Sequence, residues 1–343
     1  MGKIQRQVTV VRDGMHNAFT DLAYWQGAYW VSYRKGTAHA SIDGQACVSI
    51  SVDRTRFREA ARLKVLGDNR DPKLFPIDDK RMALIFPSWL GGYAKRDLQS
   101  FIAFTEDGFN WSEPQPVLAR QQWLWRIREH AGRYYALIQN LAGGWDTGRP
   151  PHALDLAVSD GFLTWKTLAR IGGDLGLNES DIHWRSDGEA WVIARTVQES
   201  ATCASYFACA REPYTDWQVT PLQPMIHAPV MLQHKENLYV AGRRKATQEN
   251  DTNFPFLSPQ SLGIWRVTRG AVTPVMRIPA TGDCSYPGLI KDPEGRVCLS
   301  YYSQHAYHMG VVPMPFRLEP TPPHDHGQLL ASDDVYFAEL DLP

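Results

Sequence analysis

The chain has almost no helix-period sequence, no long apolar run and no excess of either charge, and each absence removes a class of protein. Apolar residues at the three-to-four-residue spacing of an amphipathic helix are nearly missing, which excludes helical bundles and folds that alternate strands with helices. No window reaches the ~18 to 20 apolar residues of a helical membrane span, and Met1-Gly2-Lys3-Ile4-Gln5-Arg6-Gln7 contains no apolar signal-peptide core. No membrane partner is expected. The expected location is the cytoplasm, or the periplasm or cell exterior if a signal peptide has been removed. The net charge is −1 and the pI about 6.8, so no basic field gathers nucleic acid.

Cysteine is also scarce. The five residues Cys47, Cys203, Cys209, Cys284 and Cys298 are odd in number, have no CxxC spacing and lie mostly in apolar strand-like runs. They read as reduced core residues rather than a disulfide or metal framework. No glycine-rich phosphate loop, Gly-x-Ser-x-Gly elbow or dinucleotide fingerprint is present, so no cofactor is expected.

What the chain does have is aromatic residues and a repeat. Of 343 residues 43% are apolar, and 12 Trp and 14 Tyr are present, a composition that suits the pleated surfaces of sheets. About six times an apolar strand, a turn and a second strand ending in an aromatic or arginine precede a Ser/Thr-x-Asp and tryptophan. In one pass Asp71-Pro72-Lys73-Leu74 is followed by the turn at 78–81, the strand 82–86 and Thr105-Glu106-Asp107-Gly108-Phe109-Asn110-Trp111. The period of about 45 to 60 residues predicts an all-β, six-bladed β-propeller as a single domain over residues 1–343. The strand at 335–340 is the expected partner of 7–11, so both chain ends complete one blade. Between them, residues 309–332 are rich in Pro and His and read as a long loop over one face.

Two blade endings carry a resemblance. Thr105 to Trp111 looks like an Asp box, the Ser/Thr-x-Asp-x-Gly-x-x-Trp hairpin of sialidases and other BNR-repeat propellers, and Ser159 to Trp165 is a shortened version. The motif is structural: its Asp satisfies turn amides while its Trp packs between strands. The resemblance implies a tyrosine nucleophile on the last blade, a glutamate that polarises it, an aspartate acid/base and three arginines that grip a sugar carboxylate. Tyr286 in Asp283-Cys284-Ser285-Tyr286-Pro287-Gly288-Leu289 stands where the tyrosine belongs. Glu179 and, 16 residues on, Arg195 match the glutamate and second arginine, and Arg243 matches the third. The first arginine is replaced by His16-Asn17-Ala18-Phe19-Thr20-Asp21, so the carboxylate clamp is incomplete.

Position along the strands adds further candidates. Arg34 and Arg126 share the strand-end position of Arg195 and Arg243. Asp71 and Lys73 open blade two, with Asp71 a candidate for proton transfer. His39, followed by Asp43, lies on the first loop, and His16 and Asp21 open blade one. A neutral phenol suits attack beside a sugar carboxylate, and its proton must be taken by a base such as Glu179. The expectation is a glycoside hydrolase on an acidic or polar glycan. Tyr286 is nucleophile or base, Glu179 its activator and Asp71 or His39 the acid/base. Arg34, Arg126, Arg195, Arg243, His16, Asp21 and Lys73 hold the oligosaccharide or polysaccharide. A polysaccharide lyase using Tyr or His with Arg on a uronic acid, and a non-catalytic glycan-binding propeller, use the same groups. His305, His308, His324, Asp325 and His326 invite a metal, but their spacing fits no template, and none is expected.

Overall fold

In the computed structural model, residues 2–92, 96–141, 152–245, 260–308 and 332–343 are described. Six antiparallel sheets follow one another along the chain. Blade 1 runs His16–Trp25, Ala28–Gly36, Gln45–Ser51 and Arg58–Leu63. Blade 2 has an interrupted inner strand, Asp68–Asn69 and Lys73–Pro76, then Met82–Trp89, Leu98–Thr105 and Gln115–Val117. Blades 3, 4 and 5 open with Gln122–His130, Leu177–Trp184 and His227–His234, and each adds three further strands.

Blade 6 closes the ring. Cys284–Lys291, Val297–Ser303 and Asp334–Asp341 come from the C-terminal part, and Lys3–Val11 pairs with Asp334–Asp341 as the outer strand, Val8 opposite Phe337. The expected six-bladed all-β ring with mixed-end closure is what forms, and pairing both chain ends leaves no blade short of a strand. The loop expected at 309–332 lies, apart from Ser332, outside the described residues, as do His324, Asp325 and His326. No helix among the described residues is long and apolar enough to cross a membrane.

The hairpin ends behave as local chemistry requires. Asp107 accepts from the amides of Phe109 (2.8 Å) and Asn110 (2.7 Å), and Trp111 Nε1 donates to Gly108 O. In the shortened hairpin the turn is held instead by Ser159 Oγ, which accepts from the Gly161 amide, while Asp160 points outward to Arg133. Between blades the core is apolar and aromatic. The five cysteines are all unbridged, and all but Cys203 are buried.

The inner strands pack against one another around the axis, and each skips residues at a corresponding level. The pairing register breaks at Phe19-Thr20, Trp125, Asn178-Glu179, Ala228-Pro229 and Tyr286-Pro287. In blade 2 the break is the gap at Arg70-Asp71-Pro72. Four of these positions hold a left-handed backbone without glycine: Phe19 (φ 58°), Asp71 (44°), Ala228 (48°) and Tyr286 (42°). Each such conformation costs on the order of 1 to 3 kcal/mol and persists only where its surroundings enforce it. After three of them stands a proline, Pro72, Pro229 or Pro287, which has no amide to lose from the ladder. Bulges re-aim side chains, and residues from four of these breaks, Asp71, Trp125, Glu179 and Tyr286, border one cavity.

Candidate active site

A cavity of about 170 Å³ lies where the bulges converge. Its lining includes Asp71, Arg70, His39, Glu179, Asn178 and Tyr286 together with Trp89, Trp123, Trp125, Gln139 and His152. Phe19 backs the site, its ring 4.9 Å from Tyr286 and 5.2 Å from His39.

Tyr286 and Glu179 are in contact: the phenol donates to Glu179 Oε1. The same oxygen accepts from Arg195 Nη1 at 2.8 Å, and Oε2 accepts from the Ala228 amide at 2.8 Å. Burial pushes the Glu179 carboxyl up, but Arg195, the Tyr286 hydroxyl and Arg243 outweigh it and hold the group at about 2. Tyr286 moves the other way. Burial and the Glu179 charge drive its phenol well above the ordinary value, against Arg243 and Arg195. The proton therefore rests on tyrosine and the charge on glutamate.

Asp71 faces the same cavity in a different state. Burial raises it to about 6, with Glu179 and Asp68 adding to the rise and Arg70 and Lys73 opposing it. Its Oδ1 is buried without a hydrogen-bond partner, and Arg70 Nε is 3.7 Å from Oδ2. Two carboxyl groups on one cavity thus have acidities pushed apart by their environments, the arrangement that lets one act as acid while the other stays charged.

Behind Tyr286 lies a polar cluster centred on Asp283. Its Oδ2 meets His39 Nδ1 at 2.5 Å and His16 Nε2 at 2.9 Å, while Oδ1 accepts from the Tyr302 hydroxyl at 2.7 Å and Arg243 Nη2 at 3.2 Å. His16 also reaches Asp333 at 3.0 Å. Burial opposes the imidazolium of His16, but Asp333 and Asp283 overcome it and raise the group to about 9. Burial instead lowers His39 to about 4, reinforced by Arg70 and His16. His16, His39 and Asp283 offer donor atoms within 4.8 Å of one another, a spacing that suits a cation. Their donors already serve the hydrogen bonds just described.

Of the sequence-derived candidates, Tyr286, Glu179, Asp71 and His39 line the cavity. Arg195 touches it through Glu179. Arg243 lies behind Tyr286, its guanidinium carbon 5.1 Å from the ring centroid and Nε bonded to Cys284 O at 2.8 Å. Five others are placed elsewhere. Arg34 has no exposed surface and is spent on Asp68 (2.7 Å), Ala38 O and Ser41, where it holds the first loop rather than a ligand. Arg126 is paired with Asp21 at 2.8 Å, and Asp21 also accepts from the Leu74 amide. Lys73 Nζ donates to Thr20 O at 3.0 Å, and burial lowers it to about 8. These three form an inter-blade belt that does not line the cavity. His16 is likewise walled off, contacting carboxylates rather than the cavity.

The reading of the chain missed Arg70, Asp283, Asn178 and the three tryptophans. Arg70 and Asn178 are sequence neighbours of Asp71 and Glu179, inside the same breaks, and that adjacency was the available signal. Trp123 and Trp125 looked like ordinary strand residues, because only the bulge at Trp125 reveals which face it takes.

No family model and no curated protein matches the chain. Solved structures do. A protein of unknown function from Dyadobacter fermentans superposes over 100% of this chain and 99% of its own at a TM-score of 0.75 and 14% identity. An α-L-arabinofuranosidase of Fusarium graminearum, in complex with an iminosugar inhibitor, covers 98% of both chains at a TM-score of 0.66 and 8% identity. The endosialidase of phage phi92 covers 98% of this chain and 69% of its own at a TM-score of 0.63 and 9% identity. At these identities the likeness is one of fold.

Proposed function

We propose that the protein is a glycoside hydrolase that cleaves a sugar residue held at the propeller axis. The observation that carries this reading is the presence, on one cavity, of a carboxyl raised to about 6 (Asp71) and a phenol bonded to an ionised carboxylate (Tyr286 with Glu179). Asp71 in its protonated form gives its proton to the leaving glycosidic oxygen as the bond to the anomeric carbon breaks. The Tyr286 oxygen attacks that carbon, and its proton passes to Glu179 Oε1. Water then releases the sugar from tyrosine, with Asp71 taking the water's proton and Glu179 returning one to Tyr286.

This is a sialidase-type Tyr/Glu pair without the complete arginine clamp. The carbohydrate-cleaving names of the arabinofuranosidase and endosialidase neighbours agree with it. Asp71, a buried carboxyl with an unpartnered oxygen at a left-handed backbone position, is a group of the kind that clusters at active sites. The test is a panel of 4-nitrophenyl glycosides and natural oligosaccharides assayed with wild type, Tyr286→Phe and Asp71→Asn. Turnover lost in both variants supports the reading. A product absorbing in the near ultraviolet marks a lyase, and saturable binding without turnover marks a lectin; either result overturns it.

A further inference from the structure

We infer that Asp68 is a positioning residue for proton donation: anchored by Arg34, it draws the Arg70 guanidinium off Asp71 and so leaves Asp71 able to carry a proton. The inference rests on Asp71 being the acid of the hydrolase proposed above.

Arg70 and Asp71 are adjacent in the chain and line the same cavity, and a guanidinium bonded to a carboxylate holds it ionised. Here the guanidinium is spent elsewhere. Nη1 donates to Asp68 Oδ2 at 3.0 Å and to His39 O at 2.6 Å, and Nη2 lies 3.4 Å from His39 Nε2. The group also stacks on Phe19, its central carbon 4.4 Å from the ring centroid. Its ion-pair contact with Asp71 is Nε to Oδ2 at 3.7 Å, beyond hydrogen-bonding distance. Asp71 Oδ1 is buried with no hydrogen-bond partner. The second cation nearby, Lys73, is turned to Thr20 O at 3.0 Å.

Asp68 can hold Arg70 because it is itself fixed. It is buried, its Oδ1 accepts from Arg34 Nε at 2.7 Å, and its Oδ2 accepts from the Ser41 amide at 3.3 Å. Gly44 is pressed against this pair, so that a Cβ there would collide with Asp68 Oδ1 and Arg34 Nε. The backbone beside Asp71 is pinned as well. The Arg70 amide donates to Pro87 O at 2.8 Å and Pro72 O accepts from Ser32 Oγ at 2.7 Å, with the left-handed Asp71 between them.

Asp68 acts on Asp71 twice with one sign. Its charge disfavours a second charge on Asp71, and its hold on Arg70 weakens the attraction that would favour one. The other titratable or charged groups facing Asp71 are Lys73 on its own strand, Glu179 of blade 4, Tyr286 of blade 6, and His39 and His152 on the cavity.

The experiment follows the Asp71 carboxyl directly, by carbon NMR of the full chain labelled at aspartate, with the signal assigned by its loss in Asp71→Asn. Asp68→Asn keeps the side-chain volume and an oxygen for Arg34 but removes the charge that holds Arg70. The Asp71 midpoint is expected to fall by about 1 to 3 pH units, the range for a carboxyl that gains an arginine partner. The falling limb of kcat/KM is expected to move to lower pH with it. In an Arg70→Gln background the same substitution is expected to move the midpoint far less. An unmoved midpoint, or equal shifts in both backgrounds, overturns the inference. Wild type supplies a check that needs no folded Asp68 variant: the Arg70 Nε–H resonance is expected to stay nearly constant while Asp71 ionises, and a shift marking a new hydrogen bond to Asp71 overturns the hold. The hydrolase reading fails separately, by absent glycoside turnover or by a pH limb that survives in Asp71→Asn, while the NMR midpoints still report whether Asp68 controls Asp71 through Arg70.

Discussion

Glu179 Oε1 accepts at once from the Tyr286 hydroxyl and from Arg195 Nη1, so one carboxylate oxygen joins blades 4 and 6 across the propeller axis. Arg195 keeps that oxygen charged, and the charge keeps the phenol protonated until a reaction at the tyrosine oxygen makes the proton transferable.

Tyr286→Phe removes the hydroxyl and little else, since Glu179 retains Arg195 and the Ala228 amide. Turnover of the best substrate is expected to fall by roughly 100-fold or more, the order assigned to a lost proton-transfer or nucleophilic group, with the melting temperature within a few degrees of wild type. Near-wild-type kcat would remove Tyr286 from the mechanism.

Asp71→Asn separates the proton donor from the nucleophile. Substrates with poor leaving groups are expected to slow by roughly 10² to 10⁴, and dinitrophenyl glycosides, which need no protonation, by far less. In wild type Asp71 must be protonated to act, so kcat/KM is expected to fall as pH rises through about 6. That limb should disappear in Asp71→Asn; its persistence would assign the titration to another group.

His16 links stability to pH. Its folded pKa, about 9, lies above the unfolded value near 6.5, so the imidazolium stabilises fully below about pH 6.5 and the contribution is lost as pH rises through 9. The shift corresponds to about 3 kcal/mol. Melting curves between pH 6 and 10 are expected to show a decline that flattens in His16→Asn. An unchanged slope would mean that Asp283 and Asp333 do not hold His16 charged.

Arg34→Leu tests the corrected role of Arg34. Removing Arg34 takes the 2.7 Å partner from Asp68 Oδ1 and leaves Arg70 on Oδ2, which is expected to cost about 1 to 3 kcal/mol, read by denaturant unfolding, while KM of the remaining folded protein stays near wild type. A large rise in KM with unchanged stability would return Arg34 to the substrate.

Gly288→Ala tests the seam that closes the ring. A Cβ at Gly288 would lie 2.2 Å from the Leu22 amide nitrogen of blade 1, too close for the two inner strands to keep their approach. The variant is expected to unfold at distinctly lower denaturant than wild type; equal midpoints would show that the seam can open without cost.

The propeller was legible because its signals are local. Alternating strands, turns such as 78–81 and hairpin motifs ending in Trp111 or Trp165 are written in consecutive residues, and the pairing of Lys3–Val11 with Asp334–Asp341 follows from two apolar ends that both need a partner. Tyr286, Glu179 and Asp71 were legible for a related reason: each lies at the start of an inner strand, and inner strands converge. The arginines were not. Arg34, Arg195 and Arg243 stand near the ends of second strands, whereas Arg126, expected at the same position, lies mid-way along the opening strand of blade 3; their partners come from Asp68, Glu179, Asp283 and Asp21, at distances along the chain that no repeat encodes.

By itself, then, the amino-acid sequence determined six blades, a ring closed by both ends, and a tyrosine, a glutamate and an aspartate directed to one axis, because these depend on period and turn chemistry within each blade. Tertiary structure alone decided which charges remain for a ligand. The breaks at Asp71, Trp125, Glu179 and Tyr286 bring side chains from four blades to one cavity. Only in the folded ring do ion pairs form between distant segments, since electrostatic pairing is settled by proximity in space and not by order along the chain.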